Sequence, residues 1–457
     1  MKSFFQNIQN IFKIEELRNK IIFTLVLLMV YRIGTHIPLP GINPAGIEKY
    51  IADIAKNDTS KGFFGILSAF TGGAFTKASL LGLGVMPYIT ASIIMQLMGM
   101  AIPYLQKLQN DGSSGRKTLT QITRYLTVVI CLFQAPGYLT LFKNYIVPMQ
   151  AAPDAYMPFV TEHAFAFTVI GSIILTTGTL FTMWLGEKIT DKGIGNGTSL
   201  IIMIGIVATL PNAVITEVTR LTSGTTGGGI MMIFIEALLW LTIILLTVLL
   251  VNGVRKVHIE YARRVQGNTM AKGVSDFIPL KVNAAGVMPI IFAQAIVMLP
   301  VQVGQYFISK DNTELQSKLA NFGHLDNWTY NAIFAILIIV FTFFYTAIAI
   351  QTNQMADGLK RSGGFVPGIK PGVETANYFD DILSKITFPG SIFLALIAIL
   401  PGIVMKLIPG MDQNFAMFFG GTSLIIMVGV AIDTVQQINT YLLNHHYDGL
   451  MTSGRTK

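Results

Sequence analysis

Charged residues cut this chain into long apolar intervals. Charge-free stretches run from Lys77 to Lys107, Arg124 to Lys143, Glu162 to Glu187, Lys192 to Glu217, Glu236 to Arg255, Lys281 to Lys310, Asp326 to Asp357, Lys385 to Lys406 and Asp412 to Asp433. A helix needs about 20 apolar residues to cross the hydrocarbon of a bilayer, and each interval comes close to that or exceeds it. An earlier run begins at Ile21, is interrupted by Arg32 and continues to about Leu39. The pattern predicts ten transmembrane helices, called spans 1–10 in chain order. The sixth begins near Gly227 and also crosses Glu236, a carboxylate expected at a membrane face where it reaches water. No small-residue cleavage site follows span 1, so its pattern is not that of a cleavable signal peptide. Before it, Phe4, Phe5, Ile8, Ile11, Phe12 and Ile14 recur at helical spacing. They predict a short amphipathic helix, lying on the membrane surface or packed against a cytosolic partner.

Two strings occur twice. Gly84-Val85-Met86-Pro87 at the head of span 2 returns as Gly286-Val287-Met288-Pro289 in span 7, 202 residues later, and an isoleucine follows each proline by two, Ile89 and Ile291. Gly197-Thr198-Ser199-Leu200-Ile201-Ile202 in span 5 returns as Gly421 to Ile426 in span 10, 224 residues later. Either string alone is weak, but together they pair spans 2 and 5 with spans 7 and 10 in the same order. Spans 1–5 and 6–10 are then two copies of one unit. Because five is odd, the second copy enters from the opposite side, giving an inverted repeat whose interface is the usual location of a transport path.

Composition settles the solvent. Hydrophobic residues make up 52% of the 457 positions and charged residues 12%, against roughly 25% charged in a soluble domain. So few ionised groups cannot clothe a soluble enzyme of this size. The net charge is +8. An even number of spans puts both termini on one side. That side carries 22 of the 32 Lys and Arg residues, the other side 9, and Arg32 lies inside span 1. The asymmetry places both termini in the cytoplasm. The positive loops suit anionic lipid, with an anionic partner such as RNA as the alternative. The expected organisation is a cytoplasmic amphipathic helix over 1–20, an N-terminal half over 21–210, a C-terminal half over 211–440 with cytoplasmic loops at 252–281 and 351–385, and a cytoplasmic tail over 441–457.

Little catalytic chemistry is present. Cys131 is the single cysteine, which excludes an intrachain disulfide and a cysteine metal cage. The six histidines form no HExxH-type pair; the adjacent His445 and His446 read as a polar tail, with a metal site as the alternative. No GxxxxGK[ST] loop occurs, so energy must come from a partner or the membrane potential. Ionisable groups are nearly absent from the spans, where an ion-coupled carrier usually needs them. The repeated segments offer branched aliphatics instead: Val85, Ile89, Ile202, Ile291 and Ile426. As a set they predict a hydrophobic constriction that resists ions yet deforms, ordinary helix packing being the alternative for any one of them.

The fifteen apolar residues between Lys61 and Lys77 are too few to cross. Broken by Gly72 and Gly73, they predict a re-entrant half-helix at the pore mouth, or an interfacial loop helix. The loops before spans 7 and 9 are long and punctuated by glycine and proline. The first carries Arg255, Lys256, Arg263, Arg264, Lys272 and Lys281, the second Lys360, Arg361, Lys370 and Lys385. Their length predicts docking surfaces for a cytosolic partner.

Several strings in order resemble the SecY family, main subunits of the bacterial protein-conducting channel. They are Tyr31-Arg32-Ile33-Gly34, Ile37-Pro38-Leu39-Pro40-Gly41-Ile42, Gly84 to Ile89, Gly193-Ile194-Gly195-Asn196-Gly197, Pro279-Leu280-Lys281-Val282-Asn283, Gly286 to Pro289, Phe365 to Gly372, and Phe419-Gly420-Gly421-Thr422-Ser423. The resemblance implies an all-α polytopic membrane protein, ten transmembrane helices in two inverted five-helix halves, arranged as a clamshell with a central pore, a re-entrant plug helix and a lateral gate. The family's pore ring would fall on Val85, Ile89, Ile202, Ile291 and Ile426, with Thr198 at a sixth position where an aliphatic is common. Its plug would fall on about 63–76, with Phe63, Phe64, Ile66, Leu67, Phe70, Gly72, Gly73 and Phe75. Its lateral gate would include Thr90, Gln134 and Asn283.

By the same resemblance Arg255, Lys256, Arg263, Arg264, Lys360, Arg361 and Lys370 would receive the SecA ATPase or the ribosome. Lys370 stands where arginine is usual, and Asn268-Thr269 where a basic pair is common. Small subunits SecE and SecG would complete a heterotrimer in the bacterial cytoplasmic membrane. Signal peptides and nascent membrane proteins would be the clients, with anionic lipid around them and no DNA. No covalent reaction, metal or cofactor is implied. An ion-coupled small-solute carrier with five-plus-five repeats is the competing function, and a scaffold or insertase without a through-pore is a third.

Overall fold

A computed structural model describes residues 14–54, 71–143, 147, 153–222, 229–261, 265–266, 269–270, 275–307, 327–408, 411 and 413–453. Ten helices of 16 residues or more run through them. They are span 1 (Glu15–Gly34), span 2 (Met86–Ala101), span 3 (Gly112–Leu141), span 4 (Ala164–Lys192), span 5 (Gly197–Thr222), span 6 (Gly229–Asn252), span 7 (Met288–Phe307), span 8 (Trp328–Ala349), span 9 (Val373–Leu407) and span 10 (Gly421–Ser453). Seven of them, spans 3–6 and 8–10, are individually long and apolar enough to cross a bilayer. Span 2 reaches that length only with the following Pro103–Asn110 helix, from which it is bent by 106°. The bend falls at Ile102, whose extended backbone (φ −107°, ψ 114°) is what the following Pro103 favours. The predicted amphipathic helix at 4–14 lies almost wholly outside the described residues.

The chain forms two compact units. The first comprises Met1–Thr219, Asp412–Phe415 and Val430–Lys457; the second comprises Arg220–Met411 and Ala416–Gly429. In the first, Leu17, Thr24, Leu28, Tyr31 and Gly34 form the buried stripe of span 1. Ile22, Leu25, Val26, Met29 and Ile33 remain exposed, as lipid-facing positions should. Many serine and threonine hydroxyls within the spans return to carbonyls one turn back, as Thr127 does to Thr123 (2.7 Å) and Thr182 to Gly178 (2.8 Å). That keeps them satisfied where no water is available. Span 1 meets span 10 near its own start: Lys20 Nζ donates to the Tyr441 hydroxyl at 3.1 Å and also pairs with Glu16 at 2.9 Å. The turn between spans 4 and 5 is held from both sides. Ile194 N donates to Thr24 Oγ1 (3.0 Å) and Gly195 N to Gln437 Oε1 (2.9 Å).

In the second unit, Leu250, Ile290, Ala293, Val297, Tyr330, Phe334, Ile338, Leu394, Ile397 and Ile425 form one apolar core from spans 6–10. Of the seven spans individually long enough to cross, span 6 is the least covered: 17% of its apolar window is buried, against 50% for span 9. Glu236 is only 2% exposed, so it does not reach water as its position in the sequence suggests.

The loops before spans 7 and 9 are ordered together, in a way the span pattern does not foretell. Strands β1 (Val254–Tyr261) and β4 (Ser275–Lys281) pair antiparallel from Val254↔Lys281 to Glu260↔Ser275. The short strands β2 (Val265–Gln266) and β3 (Thr269–Met270) pair between them. Strand β5 (Gly364–Phe365), from the second loop, joins the other edge of β1. A helix over Thr352–Arg361 and the first turns of span 9 close the body around Val257, Ile259, Leu280, Leu359, Val366, Phe379 and Leu383. A small sheet thus supplements an otherwise helical fold.

Candidate functional site

The duplicated strings prove to be duplicated structure. Spans 2 and 7 each begin at the methionine of Gly-Val-Met-Pro, with the proline in the first turn, where its missing N–H leaves no carbonyl unpaired. The preceding glycines share a left-handed backbone, φ +57° at Gly84 and +65° at Gly286. Ile89 N donates to Val85 O and Ile291 N to Val287 O. Spans 5 and 10 begin at the glycines of their own repeat, Gly197 and Gly421. Ile89 and Ile291 therefore occupy one position of the repeat, and Ile202 and Ile426 another.

The predicted ring residues fall in both units. Val85, Ile89 and Ile202 belong to the first, with Val85 and Ile202 buried and Ile89 half-buried; Ile291 and Ile426 belong to the second, both buried. Thr198 is no orphaned polar group: its hydroxyl donates to Asn196 Oδ1 at 2.6 Å, and Asn196 also accepts from Ser199 N at 3.2 Å, capping span 5. Of the gate residues, Thr90 turns its hydroxyl back to Met86 O (3.1 Å) and Gln134 is half-buried on span 3. Asn283 is buried in the turn before span 7, where its Oδ1 has no hydrogen-bond partner among the described residues.

The expected plug is described only in part. Phe63, Phe64, Ile66, Leu67 and Phe70 lie outside the described residues. Gly72, Gly73 and Phe75 stand in a run of consecutive turns over 71–85, so the half-helix expected across 63–76 does not extend through them. Left-handed glycines at Gly72 (φ +64°) and Gly73 (φ +86°) interrupt helical geometry there. The run is seated by main-chain bonds to the segment that follows span 1, Leu39 N to Ala78 O (2.9 Å) and Leu80 N to Ile37 O (2.8 Å). Two side chains missed by sequence reasoning also grip it: Arg32 Nη1 donates to Gly72 O at 2.8 Å, and the Tyr138 hydroxyl to Phe75 O at 2.7 Å.

Of the basic residues, Arg255, Lys256, Lys360, Arg361 and Lys370 are all exposed on the β1–β4–β5 body; Arg263 and Arg264 lie outside the described residues. Lys256 lies 4.5 Å from the centre of the Phe277 ring. Lys370 stands 3.8 Å from Glu374, both well exposed, a pair worth under about 1 kcal/mol. Its carbonyl accepts from Thr375 Oγ1 at 2.9 Å, which fixes the Pro-Gly turn against the start of span 9. Elsewhere, in the connection after span 3, burial pushes the Tyr156 phenol up and the Lys143 amine down from their ordinary pKa values. Among the described residues no three His, Cys, Asp or Glu side chains come together as metal ligands.

Ten spans in two repeated halves, with charge held in the loops and span ends, define a multi-pass membrane protein of the protein-conducting channel class. The comparisons agree. The SecY family profile matches residues 79–435. The chain is 40% identical over 443 residues to the protein translocase subunit SecY of Streptomyces scabiei, covering 96% of this chain and 98% of that one. It is 37% identical over 456 residues to the same subunit of Chlamydia trachomatis, covering 98% and 99%. Among solved structures, a protein-conducting channel superposes with TM-score 0.63 at 16% identity, covering 92% of this chain and 91% of that one. Sec61 of a canine ribosome–channel complex from the endoplasmic reticulum gives 0.59 at 16% identity, with the same coverage. The chain belongs to the SecY family, and the channel reading stands over that of an ion-coupled carrier.

Proposed function

We propose that this chain is the central pore-forming subunit of a Sec translocase in a bacterial cytoplasmic membrane. It passes unfolded preproteins across that membrane and releases hydrophobic segments sideways into lipid. The pore catalyses no covalent reaction; SecA or the ribosome drives the chain through it. SecE and SecG complete the heterotrimer, anionic lipid surrounds it, both termini face the cytoplasm, and DNA plays no part. The observation that carries this reading is the structural repeat: branched aliphatics recur at equivalent helix-start positions in both halves, Ile89 with Ile291 and Ile202 with Ile426.

In this reading Val85, Ile89, Ile202, Ile291 and Ile426 form a greasy seal that deforms around a peptide while resisting ions, and Thr198, its hydroxyl already engaged, adds a methyl to that seal. The segment 63–76 is the plug. Thr90, Gln134 and Asn283 form the lateral gate, where the unpartnered Asn283 Oδ1 favours whichever state brings it a donor. Arg255, Lys256, Arg263, Arg264, Lys360, Arg361 and Lys370 receive the motor or the ribosome.

A photo-crosslinking residue at position 89 or 291 tests the pore directly. Each is expected to label a precursor stalled in transit, well above a control probe at lipid-facing Leu245, which is 56% exposed. Absence of an adduct from both sites in a transporting channel would rule out the ring.

A further inference from the structure

Arg32 is the one charge inside the apolar body of span 1. It falls in the helix's last turn, where a cation suits the helix dipole and long side chains ordinarily reach for water. The observed guanidinium instead reaches 40 residues along the chain to the Gly72 carbonyl, with Thr35 Oγ1 at 3.5 Å as a second neighbour. The site is tight. A Cβ on Gly72 would stand 2.9 Å from Arg32 Nη1 and 3.0 Å from Gly205 Cα, so the loop rests on the bare backbone of span 5. Three residues on, Tyr138 of span 3, 3% exposed, donates to Phe75 O and holds its ring 4.7 Å from the Phe75 ring. Inside the turn run, Phe75 N donates to Thr71 Oγ1 at 3.0 Å.

Turn bonds and Leu39 N take up the carbonyls of Thr71, Gly73, Ala74 and Ala78, and Ala78 N reaches Phe75 O at a long 3.4 Å. The carbonyls at 72 and 75 take side-chain donors from two different spans, and a third span supplies the floor. We propose that Arg32 and Tyr138 are a two-point latch: positioning residues that hold the root of the plug segment seated and so set how tightly the resting channel is sealed. This rests on the reading of 63–76 as the plug. The two bonds differ in strength. A neutral phenol-to-carbonyl bond shifts a two-state equilibrium by about fivefold, and a charge-assisted one by more than about tenfold. Arg32 is then the stronger of the two. Lysine cannot replace it fully, because a point ammonium lacks the planar guanidinium's reach and fork.

The test uses the assembled channel reconstituted in planar bilayers, with ion conductance read in the absence of precursor. Tyr138→Phe removes one oxygen and is expected to raise resting conductance about fivefold. Arg32→Met is expected to raise it more than tenfold, with Arg32→Lys between wild type and Met. Both main variants should keep wild-type abundance and thermal stability. Lower stability with no added conductance would mean that the two side chains are merely structural, and would overturn the latch. Deleting 63–76 separates the two ideas. A leaky deletion beside tight point variants would reject the latch and leave the plug, whereas a tight deletion would reject the plug itself.

Discussion

Phe379→Ala is expected to abolish most partner-driven transport while leaving the ten spans in place. Phe379 is fully buried at the centre of the body that joins the two long loops, in one cluster with Val257, Ile259 and Leu280 from the first loop and Leu359 and Val366 from the second. Truncating a buried phenylalanine to alanine costs about 3–5 kcal/mol. A body of three paired strands and one ten-residue helix has few other apolar contacts with which to absorb that loss. The sheet should part from span 9, scattering the exposed basic residues that this body carries. Precursor import into proteoliposomes should fall at least tenfold, and protease should cut within 254–281. Arg361→Glu is the counterpart: its side chain is exposed and takes no part in that cluster, so docking should weaken with no new cleavage. Full import by a channel whose loop body has come apart would show that the body is not the docking surface.

Why some of this was legible in sequence and some was not follows from the solvent of each part. In lipid, every backbone polar group must be paired inside its own helix and charges are expelled. Gaps between charges therefore locate spans 2–10, and the repeated Gly-Val-Met-Pro and Gly-Thr-Ser-Leu-Ile-Ile strings mark the starts of spans 2, 5, 7 and 10. Outside lipid that rule lapses. Span 9 begins at Val373, twelve residues before the last charge that bounds its apolar interval, because Asp380, Asp381 and Lys385 cost a solvated helix nothing. Lys385 and Asp381 even pair at 2.7 Å, one turn apart.

The β1 strand did leave a trace: Val257, Ile259 and Tyr261 alternate with His258 and Glu260, the period of a half-buried strand. The alternation is too short to stand out beside helical intervals several times its length. The Pro44–Ile54 helix likewise hides among short polar and apolar steps. Arg32 and Tyr138 could be named as a charge and an aromatic in a span, but their partners are main-chain carbonyls at 72 and 75. Backbone acceptors carry no sequence signature, so only the fold discloses those contacts.

Gly178→Ala should unseat the same turn run by crowding alone, without touching either latch bond. A Cβ at position 178 of span 4 would come 2.1 Å from the Leu80 carbonyl oxygen and 3.3 Å from Leu81 Cδ2. An ordinary carbon–oxygen contact is over 1 Å longer, so the Leu80 backbone has to retreat. It is poorly free to do so, since Leu80 N donates to Ile37 O at 2.8 Å and Gly82 N to Ser79 O at 2.9 Å. Overpacking against fixed backbone costs about 1–3 kcal/mol, and here it acts on the segment that leads into span 2. Gly171, two turns earlier on span 4, is the matched control. There an added Cβ meets Leu139 Cδ1 at 2.8 Å, the end of a side chain that can change rotamer. Gly171→Ala should therefore leave thermal unfolding and resting conductance close to wild type. Gly178→Ala should lower the unfolding temperature by several degrees and raise conductance severalfold. Equal effects from the two alanines would show that the 71–85 run yields as easily as a leucine side chain, and the close seat on span 4 would then play no part in holding the channel shut.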